Sequence, residues 1–181
     1  MKEKNIILTG IMGCGKTTIG RELAKELKMD FLDLDQYVEN KWGSIKELFK
    51  HGEKHFRDIE SQAVLEVCEM KGLVVATGGG VVKREENISA LKRNSIIFFI
   101  DRSIKKILSD IDISERPLIA DRKEKLIEIY EERYPLYLST CDLQIKNDDS
   151  IHKAIENIKK HITPSNLSPQ HDPADKEKQK L

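Results

Sequence analysis

The chain is expected to fold as an α/β domain of three layers, a five-stranded parallel sheet flanked by helices. Three observations predict this. Short apolar runs of strand length alternate with segments of helical periodicity along the chain. One run, Ser95 to Ile100, is apolar almost without interruption, as suits a central or near-central strand covered by helices on both faces. A glycine-rich turn joins the first strand to the first helix, and strand-helix alternation of this kind implies right-handed crossovers.

In chain order, Asn5 to Thr9 reads as the first strand and stops at Gly10, after which Ile19, Leu23 and Leu27 mark one helix face. Phe31 to Leu34 reads as a second strand, although periodicity alone does not separate it from the end of a helix. Ser44 and Glu47 have the spacing of a capping box. From Glu53, the positions Phe56, Ile59, Ala63, Val64 and Val67 trace a longer amphipathic helix. Leu73 to Ala76 is the third strand and Ser95 to Ile100 the fourth. A helix around Ser103 to Ser109, a polar stretch to Arg122, a helix from about Lys123 to Ser139, a strand near Asp142 to Ile145 and a helix opened by Ser150 complete the series. Residues 1–163 are expected to form one domain, with a lid over about 110–122. Residues 164–181 carry almost nothing apolar and are expected to be a disordered tail.

Composition narrows the function. Lysine plus arginine and aspartate plus glutamate number 31 each, so no basic excess points to nucleic acid. The three cysteines, Cys14, Cys68 and Cys141, have neither CxxC nor metal-type spacing, which suits a reducing cytoplasm. No signal-peptide pattern opens the chain, and no apolar run reaches the roughly 20 residues that cross a bilayer. A cytoplasmic protein without membrane partners is expected.

The strongest motif is Gly10-Ile11-Met12-Gly13-Cys14-Gly15-Lys16-Thr17, which matches GxxxxGK[ST] between an expected strand and an expected helix. Glycines let backbone N–H groups wrap phosphates, and the helix N-terminus adds positive potential. Lys16 answers the β- and γ-phosphates, and Thr17 offers an oxygen to Mg²⁺. Gly13, Cys14, Gly15, Lys16, Thr17 and Thr18 are the expected ATP contacts. The motif leaves the phosphoryl acceptor open, because kinases, GTPases and motors share it.

Asp33-Leu34-Asp35 and Thr77-Gly78-Gly79-Gly80 end the second and third strands, so a parallel sheet brings both to the phosphate loop's edge. Alternation along a strand would point both aspartates one way. The DxD alone equally suits a solvated strand end or helix cap, and the glycines alone a flexible turn. Arg57 and Arg133 could each grip a carboxylate, with Glu60 one turn from Arg57; singly, each suits a surface.

Taken together, the phosphate loop, DxD, Phe56-Arg57-Asp58-Ile59-Glu60, the glycines and Arg133-Tyr134-Pro135-Leu136-Tyr137 resemble shikimate kinases in order and spacing over residues about 5–160. The resemblance implies a P-loop kinase fold of the nucleoside-monophosphate-kinase type and transfer of the γ-phosphoryl of ATP to the 3-hydroxyl of shikimate. It implies that Asp35 binds the acceptor hydroxyls and serves catalysis with Lys16 and Arg116, and that Asp33 supports Mg²⁺ through water. Arg57, Gly78, Gly79, Gly80 and Arg133 would bind shikimate. Arg116, in Glu115-Arg116-Pro117-Leu118, matches the family's lid arginine, which closes over ATP. A monomer is expected.

Some positions depart from that pattern. Leu108-Ser109 and Lys146-Asn147-Asp148 stand where arginines near adenine are frequent, so the adenine contacts stay open. Thr77 replaces a frequent serine and could bind water similarly. Cys14 at a helix N-terminus suits either an oxidisable thiol that blocks ATP or a small loop filler. His51 and His55 lack further ligands at metal spacing, and Trp42 is expected to pack near the acceptor helices. The competing functions are a gluconate or nucleotide kinase, or a nucleotide-binding relative without catalysis.

Overall fold

The structure, a computed structural model, describes residues 4–110 and 118–162. Strand β1 (Asn5–Thr9) is buried along its whole length and ends at the phosphate loop, from which helix α1 (Lys16–Leu27) departs. There follow β2 (Asp30–Asp33), α2 (Leu34–Trp42), α3 (Ile45–Lys50), α4 (Glu53–Glu69) and β3 (Leu73–Ala76). A 3-10 turn (Val81–Lys83) leads to α5 (Glu85–Lys92), β4 (Ser95–Asp101), α6 (Ile104–Ser109), α7 (Leu118–Thr140), β5 (Leu143–Lys146) and α8 (Ile151–His161).

The sheet has five strands in the order β2-β3-β1-β4-β5, and every neighbouring pair is parallel. The expected architecture is therefore present. β1 is central and β4 lies beside it, with Ile7 in register with Val75 on one side and Ile97 on the other. Their apolar runs follow from burial on both faces. The chain winds from β1 outward to β3 and β2 on one side and to β4 and β5 on the other. Ligands of open parallel sheets bind at the carboxyl edge where that winding reverses.

Three elements differ from expectation. β2 stops at Asp33, and Leu34 already begins α2, because the Asp33 carboxylate caps that helix: Oδ1 accepts from the backbone N–H of Asp35 at 3.1 Å and of Gln36 at 3.3 Å. Short helix α5 was not foreseen; Ile88, Ala90 and Leu91 supply its buried contacts. α7 begins at Leu118 rather than Lys123, so part of the expected lid is helical. The rest of that lid over 111–117, Arg116 included, and the tail over 164–181 lie outside the described residues.

Helix α7 is fixed to the sheet by polar and aromatic contacts. Asp101, at the end of β4 and 2% exposed, accepts from Tyr134 Oη at 3.2 Å, Gln144 Nε2 at 2.6 Å and Lys146 Nζ. Tyr137 stacks on Phe99 with centroids 5.0 Å apart. These contacts set the register that turns Arg133 toward the carboxyl edge of the sheet.

Candidate active site

The phosphate loop needs backbone that side chains resist. Gly13 has φ 76° and Gly15 φ 99°, in the left-handed region that glycine enters freely. Gly15 is the N-cap of α1 and offers no side-chain cap, so the first N–H groups of that helix remain available to an anion. Lys16 Nζ donates to the carbonyls of Gly10 at 2.7 Å and Ile11 at 2.9 Å. Thr17 Oγ1 donates to Asp33 Oδ2 at 2.8 Å, which joins the start of α1 to the end of β2.

A cavity of about 590 Å³ opens on this loop. Gly13, Gly15, Lys16, Thr17 and Thr18 line it, together with Asp33, Asp35, Thr77 and Gly79. Cys14 does not: it is fully buried, and its Sγ lies 3.7 Å from Lys16 Nζ. Thr77 directs its hydroxyl as donor to the Leu8 carbonyl at 3.0 Å. Sequence reasoning missed Arg102 in this wall and marked Asn147 only as part of a stretch that departs from the family pattern near adenine. Arg102 donates to the Gly13 carbonyl at 3.2 Å and pairs with Asp110 at 2.6 Å. Asn147 Nδ2 donates to the Cys14 carbonyl at 2.8 Å and opens the 147–151 stretch of the lining. Both residues directly follow strand ends at the carboxyl edge, a position that should have marked them.

A second cavity, of about 430 Å³, lies between α3, α4, the glycines and α7. Arg57 and Arg133 both reach it, each less than a tenth exposed, with Ile45, Phe49 and Phe56 as apolar lining. Arg57 Nη1 donates to Glu60 Oε2 at 2.7 Å, as their spacing on one helix suggested. Glu60 Oε1 and Arg133 Nε are buried without a hydrogen-bond partner among the described residues. Unsatisfied buried polar atoms are costly and cluster where function requires them. Burial pushes the Glu60 carboxyl up from its ordinary range, and the Arg57 cation only partly opposes this.

The expected acceptor glycines bound this cavity tightly. A Cβ at Gly78 would stand 2.6 Å from Asp35 Oδ1, so any side chain there would displace the Asp35 carboxylate. The Gly79 carbonyl accepts from Tyr137 Oη at 2.5 Å, and Gly80 packs on the Arg57 guanidinium. Burial raises the Tyr137 hydroxyl above its usual range.

Asp35 belongs to both cavities, as do Met12 and Gly79. Its placement arises from the first turn of α2 and not from strand alternation with Asp33, so the sequence-based reason was wrong while the convergence holds. Burial raises the Asp35 carboxyl, and the Asp33 charge adds to this; Lys16 and Arg57 pull the other way. A carboxylate so placed is a better proton acceptor than a solvated one.

Other singled-out residues stand apart. Trp42 lies at the end of α2, edge-on to Tyr37 at 6.2 Å, and lines neither cavity. His51 and His55 have ring centroids 5.3 Å apart, and the described residues contain no group of three or more His, Cys, Asp or Glu placed to hold a metal. A third cavity, of about 540 Å³, touches Asn5, Asn94 and Ser95 at the opposite edge of the sheet and includes none of the expected site residues.

The comparisons with known proteins agree on one family. The family model described as shikimate kinase matches residues 12–163. A shikimate kinase of Clostridium botulinum (strain Alaska E43 / Type E3) is 49% identical, covering 90% of this chain and 98% of its own. One from Caldanaerobacter subterraneus subsp. tengcongensis is 41% identical, covering 88% of this chain and 94% of the relative. Among solved structures, the shikimate kinase from Acinetobacter baumannii in complex with shikimate superposes with TM-score 0.81 at 33% identity, covering 92% and 96% of the two chains.

Proposed function

The chain belongs to the shikimate kinase family, and we propose that its two joined cavities transfer the γ-phosphoryl of ATP to the 3-hydroxyl of shikimate, giving shikimate 3-phosphate and ADP. This reaction is a step of chorismate and aromatic amino acid biosynthesis. The observation that carries the assignment of roles is Asp35, which lines the nucleotide cavity on one side and the acceptor cavity on the other.

Phosphoryl transfer asks little covalent chemistry of a protein and much positioning and charge stabilisation. The N–H groups of the loop and of the start of α1 hold the phosphates. Lys16 exchanges the Gly10 and Ile11 carbonyls for phosphate oxygens and offsets charge on the transferring group. In the second cavity, Arg57 and Arg133 hold the acceptor carboxylate, and Glu60 keeps Arg57 in place. Arg133 Nε has no hydrogen-bond partner among the described residues, which leaves that side chain donor capacity for the acid. Asp35 orients the acceptor hydroxyl and takes its proton, a role that its raised proton affinity supports. Arg116 is assigned the closing role over ATP on family grounds, within a lid over about 110–122.

The donor set near the phosphates fits Mg²⁺. Thr17 and Asp33 provide one hydroxyl and one carboxylate, joined at 2.8 Å. Magnesium characteristically keeps waters and takes few protein ligands beside substrate phosphates, so an all-protein cage is not required. Thr17 would hold the ion directly and Asp33 through water. When bound with ATP, Mg²⁺ neutralises charge on the β- and γ-phosphates.

The described residues include no helix long and apolar enough to cross a membrane, and the three cysteines are free thiols, as a cytoplasmic setting allows. The test is ADP release with ATP and Mg²⁺, comparing shikimate, gluconate, nucleoside monophosphates and no acceptor. Stimulation by shikimate alone is expected. Stimulation by gluconate or a nucleotide instead would reassign the acceptor cavity.

A further inference from the structure

We propose that Lys83 is a positioning residue for the acceptor carboxylate: by drawing Glu53 to itself, it keeps the Glu53 contact on the Nε and Nη2 edge of Arg57 long and displaceable by the acceptor. The inference rests on the reading of Arg57 as a ligand of that carboxylate.

The geometry is a short chain of alternating charges on the wall of the acceptor cavity. Glu53 is the first residue of α4, one turn before Arg57. Its Oε1 accepts long hydrogen bonds of 3.4 Å from both Nε and Nη2 of Arg57, whereas Glu60 takes Nη1 at 2.7 Å. The same Glu53 oxygen receives Lys83 Nζ at 2.9 Å. Lys83, from the 3-10 turn after the glycines, also stands 3.6 Å from Glu132, the neighbour of Arg133 on α7. A separation of 3.4 Å is long for a hydrogen bond and 2.9 Å is ordinary, so Glu53 is held mainly by the lysine. Lys83, through that hydrogen bond, is the main reason that the Glu53 carboxyl sits below its ordinary range.

Glu53 offers Arg57 the same group that an acidic acceptor offers, and it does so from the same helix, at high effective concentration. Arginine favours such a carboxylate in a two-pronged pair, and the Nε and Nη2 edge is the one suited to it. Without Lys83, Glu53 would close on that edge as its nearest remaining cation. Glu132 would also lose Lys83 and add negative charge beside the entering acid. Both effects weaken acceptor binding, and neither touches the phosphate loop.

The test measures shikimate-dependent ADP release at saturating ATP for wild type, Lys83→Met, Lys83→Arg, Glu53→Gln and the double variant Lys83→Met/Glu53→Gln, with thermal melts of each. Lys83→Met is expected to raise KM for shikimate about fivefold, the size of one partly screened charge interaction, with kcat within about twofold. Lys83→Arg should stay near wild type, and the double variant should return KM to within about twofold of it. Glu53→Gln alone should lower KM or leave it unchanged, which keeps the idea testable if Lys83→Met does not fold. An unchanged KM in a folded Lys83→Met enzyme, a raised KM in Glu53→Gln, or no rescue in the double variant overturns the inference. Wild type without shikimate stimulation would instead overturn the functional reading on which it rests, so the two failures are distinguishable.

Discussion

The nucleotide cavity and the acceptor cavity share a wall at Asp35, yet they are built in opposite ways. The first is organised by one contiguous loop, Gly10 to Thr17, whose backbone geometry and helix start supply the anion site. The second draws Asp35 from α2, Arg57 and Glu60 from α4, a glycine run after β3 and Arg133 from α7. Its charged groups are buried side chains that depend on one another, and two of their polar atoms lack partners among the described residues. A site made of local backbone survives most side-chain changes outside its few functional groups. A site made of buried ion pairs across distant elements couples binding to stability.

Substitutions in the two cavities should separate these behaviours. The largest effect is expected from Lys16→Met, which removes the cation beside the phosphates: kcat should fall about 10³-fold with little change in the melting temperature, measured by steady-state kinetics and thermal denaturation. Arg57→Ala should do the reverse of sparing the fold. It strips the 2.7 Å partner from Glu60, which is 1% exposed, and should cost about 3 kcal/mol of stability at neutral pH in urea unfolding. The sign of its pH dependence follows from the raised Glu60 carboxyl: stability is retained where Glu60 is protonated and is lost as pH rises through its folded-state pKa. The deficit in Arg57→Ala should therefore shrink on acidification. Arg133→Ala, whose Nε has no hydrogen-bond partner among the described residues, should raise KM for shikimate about 30-fold with a smaller effect on stability.

The same contrast explains what was legible in the sequence. The phosphate loop could be read because its residue types, spacing and flanking elements are all local. The sheet was legible for a similar reason, since strand runs such as Ser95 to Ile100 carry their burial in their composition. The start of α2 was not, because Asp33 is both the last strand residue and a helix cap, and the helix is short, with only Leu34 and Val38 buried. The acceptor residues were singled out by family resemblance, and their pairing with one another depends on contacts across α4, α7 and the glycines. Arg102, Glu53 and Lys83 gave no motif signal at all, and the motif that contains Tyr137 did not reveal its bond to the Gly79 carbonyl. Their roles arise from what lies beside them in space.

The central claim is that Asp35 joins the two cavities as proton acceptor for the transferred group. The most direct measurement is the pH dependence of shikimate-dependent kcat/KM for wild type and Asp35→Asn. Wild type should lose activity on acidification through a pKa above the usual aspartate range, because burial and Asp33 raise that carboxyl and only its ionised form accepts the proton. Asp35→Asn should lose about 10³-fold in rate and show no such limb, while ATP binding persists. An Asp35→Asn enzyme that keeps the wild-type rate and the same acid limb would contradict the account.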